Sequence, residues 1–274
     1  MNFGQALVYG LVQGLTEFLP VSSTAHLRIV QEFFGWKDPG APFTAVIQLG
    51  TTLAVVLYFW RELLHITVGW ARGLFERTTP RSLEYRMGWY LILATIPVSV
   101  FGLIFSHQIE TSARNLWVIA IALIVMALVL AAAERVGTRK RVEEELTTAD
   151  AVAVGLAQSL ALIPGVSRSG ATITAGLFRG LDRPTAARFS FLLSIPAVVL
   201  SGLYEARKIG GAGAPGVGIT AVATIISFVV GLASIAWLMR SISKHSTFVF
   251  IYYRIGMGLL LIILLSTSVL SATG

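Results

Sequence analysis

Two polar segments set into apolar sequence hold the residues best suited to chemistry. In the first, Gln13 and Glu17 are four apart, so both project from one face of a helix. The chain then turns at Pro20 and continues as Val21-Ser22-Ser23-Thr24-Ala25-His26. Ser22, Ser23 or Thr24 can cap a second helix, with His26 one turn into it. A carboxylate, hydroxyls and an imidazole thus converge at a helix N-terminus, whose unpaired N–H groups favour an anion. The second segment is Pro164-Gly165-Val166-Ser167-Arg168-Ser169-Gly170-Ala171-Thr172. Arg168 is a planar, always-charged fork suited to phosphate oxygens. Gly165 and Gly170 permit close backbone approach to a ligand, and Ser167, Ser169 and Thr172 add hydroxyl donors. The chemistry implied is binding of a phosphate-type oxyanion beside a nucleophile and an acid–base pair. Glu17 and Arg168 can also neutralise each other at rest and open for substrate.

The segments are copies of one another. At an offset of 145, Gly10, Leu11, Gln13, Leu15, Val21 and Ser22 meet Gly155, Leu156, Gln158, Leu160, Val166 and Ser167. At an offset of 146, Phe43-Thr44 and Leu57-Tyr58 meet Phe189-Ser190 and Leu203-Tyr204. The surroundings are membrane-like: 55% of residues are hydrophobic, 13% are charged and the mean hydropathy is +0.77, which excludes an ordinary soluble domain. A charged group at the centre of a membrane helix costs about 2.5–3.5 kcal/mol on insertion scales, so charge kept there implies use. The absence of cysteine excludes disulfides and thiolate metal sites. A pI near 10 reflects cations in loops rather than a nucleic-acid partner. No Walker loop, GxGxxG, HExxH or Cys–His pattern occurs.

The elements that must position these residues follow from hydropathy. Six runs, roughly 42–60, 88–106, 115–133, 185–205, 216–239 and 248–270, are long enough to span a bilayer. Stretches 3–34 and 149–181 are interrupted by Pro20 and Pro164 and read as re-entrant hairpins. The predicted fold is all-α: a polytopic membrane protein built as an inverted-topology repeat, with two re-entrant helical hairpins and six transmembrane helices. It forms a single membrane domain over 1–274, with halves of about 1–138 and 146–274 joined by the charged linker at Arg139–Glu145. With this threading, loops 61–86, 134–149 and 240–247 carry five, four and two Lys or Arg on one side, joined by Arg179, Arg183 and Arg188. The other side has Lys37, Arg114, Arg207 and Lys208. The positive-inside rule then places both termini outside, with the first hairpin opening outward. No cation precedes the first apolar stretch, which argues against a cleaved signal peptide. The 61–86 stretch reads as an amphipathic interfacial helix, 210–218 as a flexible loop, and Pro97 and Pro196 as kinks. Arg254 is expected to snorkel or meet a headgroup, and His65, His107 and His245 to face the interface.

Gly14 through His26, together with Pro164 through Thr172, closely resembles the undecaprenyl-diphosphate phosphatase family, also called bacitracin-resistance proteins, and the likeness runs along essentially the whole chain. The resemblance implies hydrolysis of undecaprenyl diphosphate to undecaprenyl phosphate and inorganic phosphate, recycling the lipid carrier for cell-wall polymers. It places the family's acidic motif on Gln13 and Glu17, its Ser-Ser-Thr-x-His motif on Ser22 to His26 and its Arg motif on Ser167 to Thr172. Gln13 is a variant that removes one carboxylate, Ala25 stands where many members have Gly, and Arg28 where many are apolar. Catalytic roles fall on Glu17, Ser23, His26 and Arg168. Substrate contacts fall on Gln13, Ser22, Thr24, Ser167, Ser169, Gly170 and Thr172. Mg²⁺ or Ca²⁺ is implied, held by Glu17 with Gln13. Ser23 is the preferred nucleophile with His26 as proton acceptor; water activated by His26 or Glu17 fits the residues equally well. The expected partners are a polyprenyl diphosphate, the bilayer and a second copy of the chain as a homodimer. The expected location is the bacterial plasma (inner) membrane, with the site towards the outer face. The alternative is a transporter or flippase of a polyprenyl phosphate or other anion.

Overall fold

The computed structural model describes residues 1–75, 82–105, 115–206 and 215–272. Helices α1 (Phe3–Thr16) and α2 (Ser23–Phe33) form a first broken pair, followed by α3 (Gly40–Tyr58), α4 (Trp60–Phe75), α5 (Leu83–Ile104) and α6 (Leu116–Val136). A 3₁₀ turn at Glu143–Glu145 leads into the second broken pair, α7 (Thr148–Ser159) and α8 (Arg168–Phe178). Then come α9 (Arg183–Ala206), α10 (Val217–Ile242) and α11 (Phe248–Ser266). Six of these, α3, α5, α6, α9, α10 and α11, are long and apolar enough to cross a membrane, and each overlaps a predicted span. Their outward faces expose Ile96, Leu103, Ile121, Ile225 and Val229, as lipid-facing helices do. The protein is an all-α polytopic membrane protein. Pro97 and Pro196 lie inside α5 and α9. The cations Arg77, Arg81, Arg114, Arg207 and Lys208, together with His107 and the glycine-rich 210–214, lie outside the described residues.

The broken pairs are short because their sequence breaks them. At 1.5 Å per residue the 14 residues of α1 reach about 21 Å, well under a hydrocarbon core of about 30 Å. A capping box between Asn2 and Gln5 starts α1, and Pro20 prevents its continuation. The first helix of each pair packs on a span from the opposite half of the sequence: α1 on α10, α7 on α5. The duplicated glycines set that approach, since a Cβ on Gly10 would come within 2.6 Å of the Ala223 carbonyl, and one on Gly155 within 2.6 Å of that of Ala94. Helices α3 and α9, and α6 and α11, complete the exchange. Of the 61–86 stretch expected as one helix, the first part forms α4 and Leu83 onward already belongs to α5; α4 rests on α5 through Trp70 and Trp89 at 5.8 Å and leaves Leu64, Val68 and Phe75 exposed.

At one end, two buried carboxylates gather the loop cations. Glu134 accepts hydrogen bonds from Arg139, Arg183 and the Thr247 hydroxyl. Asp150 accepts from Arg141 through both oxygens, from Arg179 at 2.6 Å, and from the Thr147 N–H and hydroxyl. Arg188 meets Glu143 at 2.8 Å, and Arg86 donates to the Glu144 carbonyl. The segments expected to share one face therefore do so. Their arginines, however, do more than mark orientation: Arg141, Arg179 and Arg183 are held by carboxylates that the sequence pattern did not single out. Burial alone would raise the Asp150 carboxyl, but hydrogen bonds from Arg141, Arg179 and Thr147 outweigh it and hold the group well below the ordinary range. A depressed folded-state pKa contributes stability that is complete above the unfolded value, about 3.9, and is lost as pH falls below it. The arginine partners are 26% and 43% exposed, so solvent screening limits the effect. Asp150→Asn is expected to lower stability by about 2 kcal/mol at pH 7, and the difference from wild type should shrink below pH 4; thermal unfolding in detergent across pH measures both.

Candidate active site

The two turns that interrupt the broken pairs meet one another. Each opens its following helix with a serine in the left-handed region, Ser22 at φ 75° and Ser167 at φ 71°. Non-glycine residues there cost about 1–3 kcal/mol and persist only where the surroundings fix them. Each serine is also the N-cap: the Ser22 hydroxyl accepts from the Ala25 N–H at 3.4 Å, and that of Ser167 from the Gly170 N–H at 3.1 Å. The Ser169 hydroxyl donates to the Leu19 carbonyl at 3.0 Å, stitching one turn to the other. Phe18 packs edge-on against Phe191 beneath them.

Glu17 is the hub. One carboxylate oxygen accepts from Gln13 Nε2 at 2.7 Å and from the Ser23 hydroxyl at 2.6 Å; the other accepts from Arg168 at 2.8 Å. All four side chains lie in or near the buried range, and Arg168 also donates to the Ser194 carbonyl at 3.3 Å. The predicted catalytic residues Glu17, Ser23 and Arg168 are thus in direct contact, through residues 151 positions apart in sequence. His26 stands differently. Its Nδ1 is 2.7 Å from the Ser22 carbonyl, which can only accept, so Nδ1 carries the proton. In the neutral ring Nε2 then accepts from the Tyr253 hydroxyl at 2.6 Å. Ser23 therefore faces Glu17 rather than the imidazole. Ser167 and Ser169 bond each other at 3.1 Å, and Thr172 bonds the Arg168 carbonyl and Ser190, so these hydroxyls hold the second turn in shape. Thr24 is exposed and points outside this cluster.

Arg254 was expected to snorkel; the structure corrects this. It is 1% exposed and donates to the carbonyls of Pro20 at 2.9 Å, Gly165 at 2.9 Å, Val166 at 3.0 Å, Leu123 at 3.2 Å and Ala122 at 3.4 Å. Among the described residues no carboxylate pairs with it. One guanidinium thus ties both turns to α6, and the centre holds two arginines against one carboxylate. Sequence reading also passed over Tyr253. Its one available signal was that Tyr253-Arg254 sits within an apolar span. No group of three or more His, Cys, Asp or Glu converges among the described residues.

A polytopic helical protein whose broken helices meet at a buried Ser–Glu–Arg cluster with surplus positive charge is a membrane-embedded enzyme for an anionic substrate. The chain matches the family described as Bacitracin resistance protein BacA over residues 6–260, and it belongs to that family. It is 53% identical to an undecaprenyl-diphosphatase of Mycobacterium sp. (strain KMS), over 99% of this chain and all of that one. It is similarly 50% identical to one from Nocardia farcinica, over 100% and 99%, and 51% to one from Corynebacterium diphtheriae, over 99% and 97%.

Removing the Arg254 fork leaves buried carbonyls of both turns unpaired. Arg254→Gln should therefore lower the unfolding midpoint, with a loss of about 3 kcal/mol or more, and Arg254→Lys should recover little because an ammonium cannot span five acceptors. A midpoint in Arg254→Gln equal to wild type would remove the tie from the account.

Proposed function

We propose that the protein hydrolyses a polyprenyl diphosphate, undecaprenyl diphosphate first among them, to the monophosphate and inorganic phosphate at the Glu17–Ser23–Arg168 cluster. The observation that carries this reading is the shared carboxylate: Glu17 binds the Ser23 hydroxyl at 2.6 Å and the Arg168 guanidinium at 2.8 Å. A base, a nucleophile and a phosphate-binding cation are one contact apart. The names of the relatives support the same substrate, and the family description supports a role in bacitracin resistance and carrier recycling for the cell wall.

In this mechanism the diphosphate replaces Glu17 as the partner of Arg168, and the freed carboxylate takes the proton of Ser23. The Ser23 oxygen attacks the terminal phosphorus, and the bond to the bridging oxygen breaks, so the prenyl monophosphate leaves. Water then cleaves the phosphoseryl bond and releases inorganic phosphate, restoring the Ser23 hydroxyl. His26, oriented by the Ser22 carbonyl and Tyr253, is placed to exchange a proton with the leaving oxygen or with that water. Positive charge from Arg168 and Arg254 offsets the charge that builds on phosphate. Glu17 thus takes the acceptor role that sequence reasoning assigned first to His26.

A divalent cation, Mg²⁺ or Ca²⁺, fits the donor set. Gln13 Oε1 is buried without a partner, an oxygen of the kind these ions take, and it adjoins the Glu17 carboxylate. Diphosphate oxygens and water would complete the shell, and the bound ion would supply further neutralisation of phosphate charge. Chain orientation follows from the cation-rich end: placed in the cytoplasm, it turns the first pair outward as one re-entrant hairpin and the second inward, in a bacterial plasma membrane.

Phosphate release from a polyprenyl diphosphate by the purified protein, with and without EDTA, tests the reading. Glu17→Gln, Ser23→Ala and Arg168→Ala are each expected to lower kcat by about 10²–10³-fold. Near-normal turnover in Ser23→Ala would assign the attack to water instead. Lipid-phosphate flux in vesicles without any phosphate release would move the protein to the transporter class. Tyr253→Phe should lower kcat by about tenfold with KM little changed and shift the pH–rate profile, since it removes only the hydroxyl on His26 Nε2.

A further inference from the structure

Beside the Glu17–Ser23–Arg168 cluster lies a small cavity, part polar and part apolar, that the proposed reaction leaves unused. It has a volume of about 40 Å³, room for roughly three water molecules. Thr24, Arg28 and Gln31 line it from one face of α2, at the spacing that stacks side chains along a helix. Pro164, from the second turn, closes it on one side, and Asp38 borders it from the connection to α3. Thr24 adjoins Ser23, so the cavity begins one residue from the proposed nucleophile.

Arg28 is 8% exposed, and its guanidinium is only partly used. One terminal nitrogen meets Glu32 at 2.7 Å, while Nε is buried with no hydrogen-bond partner. An unmade hydrogen bond of this kind costs about 1–3 kcal/mol, more for a charged group, unless a ligand or water completes it. Gln31 is also buried, and neither its amide nor the Thr24 hydroxyl has a side-chain hydrogen bond among the described residues. The side chains of Arg28, Gln31 and Thr24 therefore border one small space. Two carboxylates temper them, Glu32 on the guanidinium and Asp38, which accepts from the Gly40 N–H at 2.8 Å.

We propose that this cavity is a second oxyanion site that takes a single phosphate group, with the Arg28 guanidinium, Gln31 and Thr24 as its donors. Its volume admits one phosphate group and leaves no room for a prenyl tail. The occupant is either the inorganic phosphate that the reaction releases or the head of a prenyl monophosphate whose tail lies outside. Only the source of the phosphate rests on the hydrolysis proposed above. The flanking carboxylates make the binding weak, as suits a group that must leave.

Inorganic phosphate titrated into the purified protein in detergent is read as a rise in the unfolding midpoint and as inhibition of phosphate release. A water-soluble short-chain prenyl monophosphate is titrated in parallel. Arg28→Gln is expected to weaken the response about tenfold, and Glu32→Gln, which frees the guanidinium of its competitor, to strengthen it. Changes with both probes support a site for the phosphate group from either source. Changes with inorganic phosphate alone assign it to the released product, and changes with the monophosphate alone assign it to the lipid head. Unaltered responses to both probes in both variants would overturn the site. The midpoint measurement needs no turnover: phosphate binding through Arg28 in a protein that releases none would sink the hydrolysis reading and leave the site standing.

Discussion

A helix that stops halfway through an apolar layer leaves carbonyls with no partner, and in lipid each would cost several kcal/mol. Here the turns that interrupt the two broken pairs face each other, and Arg254 bonds carbonyls of both. Its planar set of donors reaches the carbonyls of Pro20 on one turn and Gly165 and Val166 on the other, with Ala122 and Leu123 anchoring it to α6. Together with the Ser169–Leu19 bond, this rigid group sets the distance between the turns. The Glu17–Arg168 contact depends on that distance, because Glu17 belongs to one turn and Arg168 to the other. No carboxylate competes for the Arg254 charge among the described residues, so backbone dipoles alone compensate it and the centre keeps its attraction for an anion.

The duplicated scaffold serves an unduplicated chemistry. Ser22 and Ser167 adopt the same strained backbone and the same capping role, and Gly10 and Gly155 allow the same close approach to the opposite half. Glu17, Ser23 and His26, however, belong to the first turn, and Arg168 to the second. Gln13 reaches Glu17, whereas its counterpart Gln158 is buried with both amide atoms unpaired. Two similar frames thus hold complementary halves of one site.

Much of this was legible in the residues. Spans of apolar residues gave the six long helices, and proline flanked by serine and glycine gave the broken pairs, because both signals are local. Glu17, Ser23 and Arg168 were found as types in a duplicated pattern, and the structure brings them into contact. The pairing of Ser23 with Glu17 instead of His26 was not legible, since spacing alone brings both within reach and the backbone at Ser22 decides between them. Arg254 was misjudged for a related reason: an arginine near the start of a span resembles one that snorkels until the carbonyls around it are known. Glu134 and Asp150 escaped notice because each takes one of its arginine partners from a distant segment, Arg183 at 49 positions and Arg179 at 29.

The placement of Arg254 also orders events in the life of the chain. Ser23 is made within the first tenth of the sequence, yet the group that ties the two turns together lies in α11, more than 200 residues later. During synthesis the first hairpin is present long before its tie exists, with Pro20 lacking its donor and Glu17 lacking Arg168. The tie between the two turns can therefore form only once the final helix is in place. A chain interrupted before that helix would hold Glu17, Ser23 and His26 without the group that joins their turn to the second.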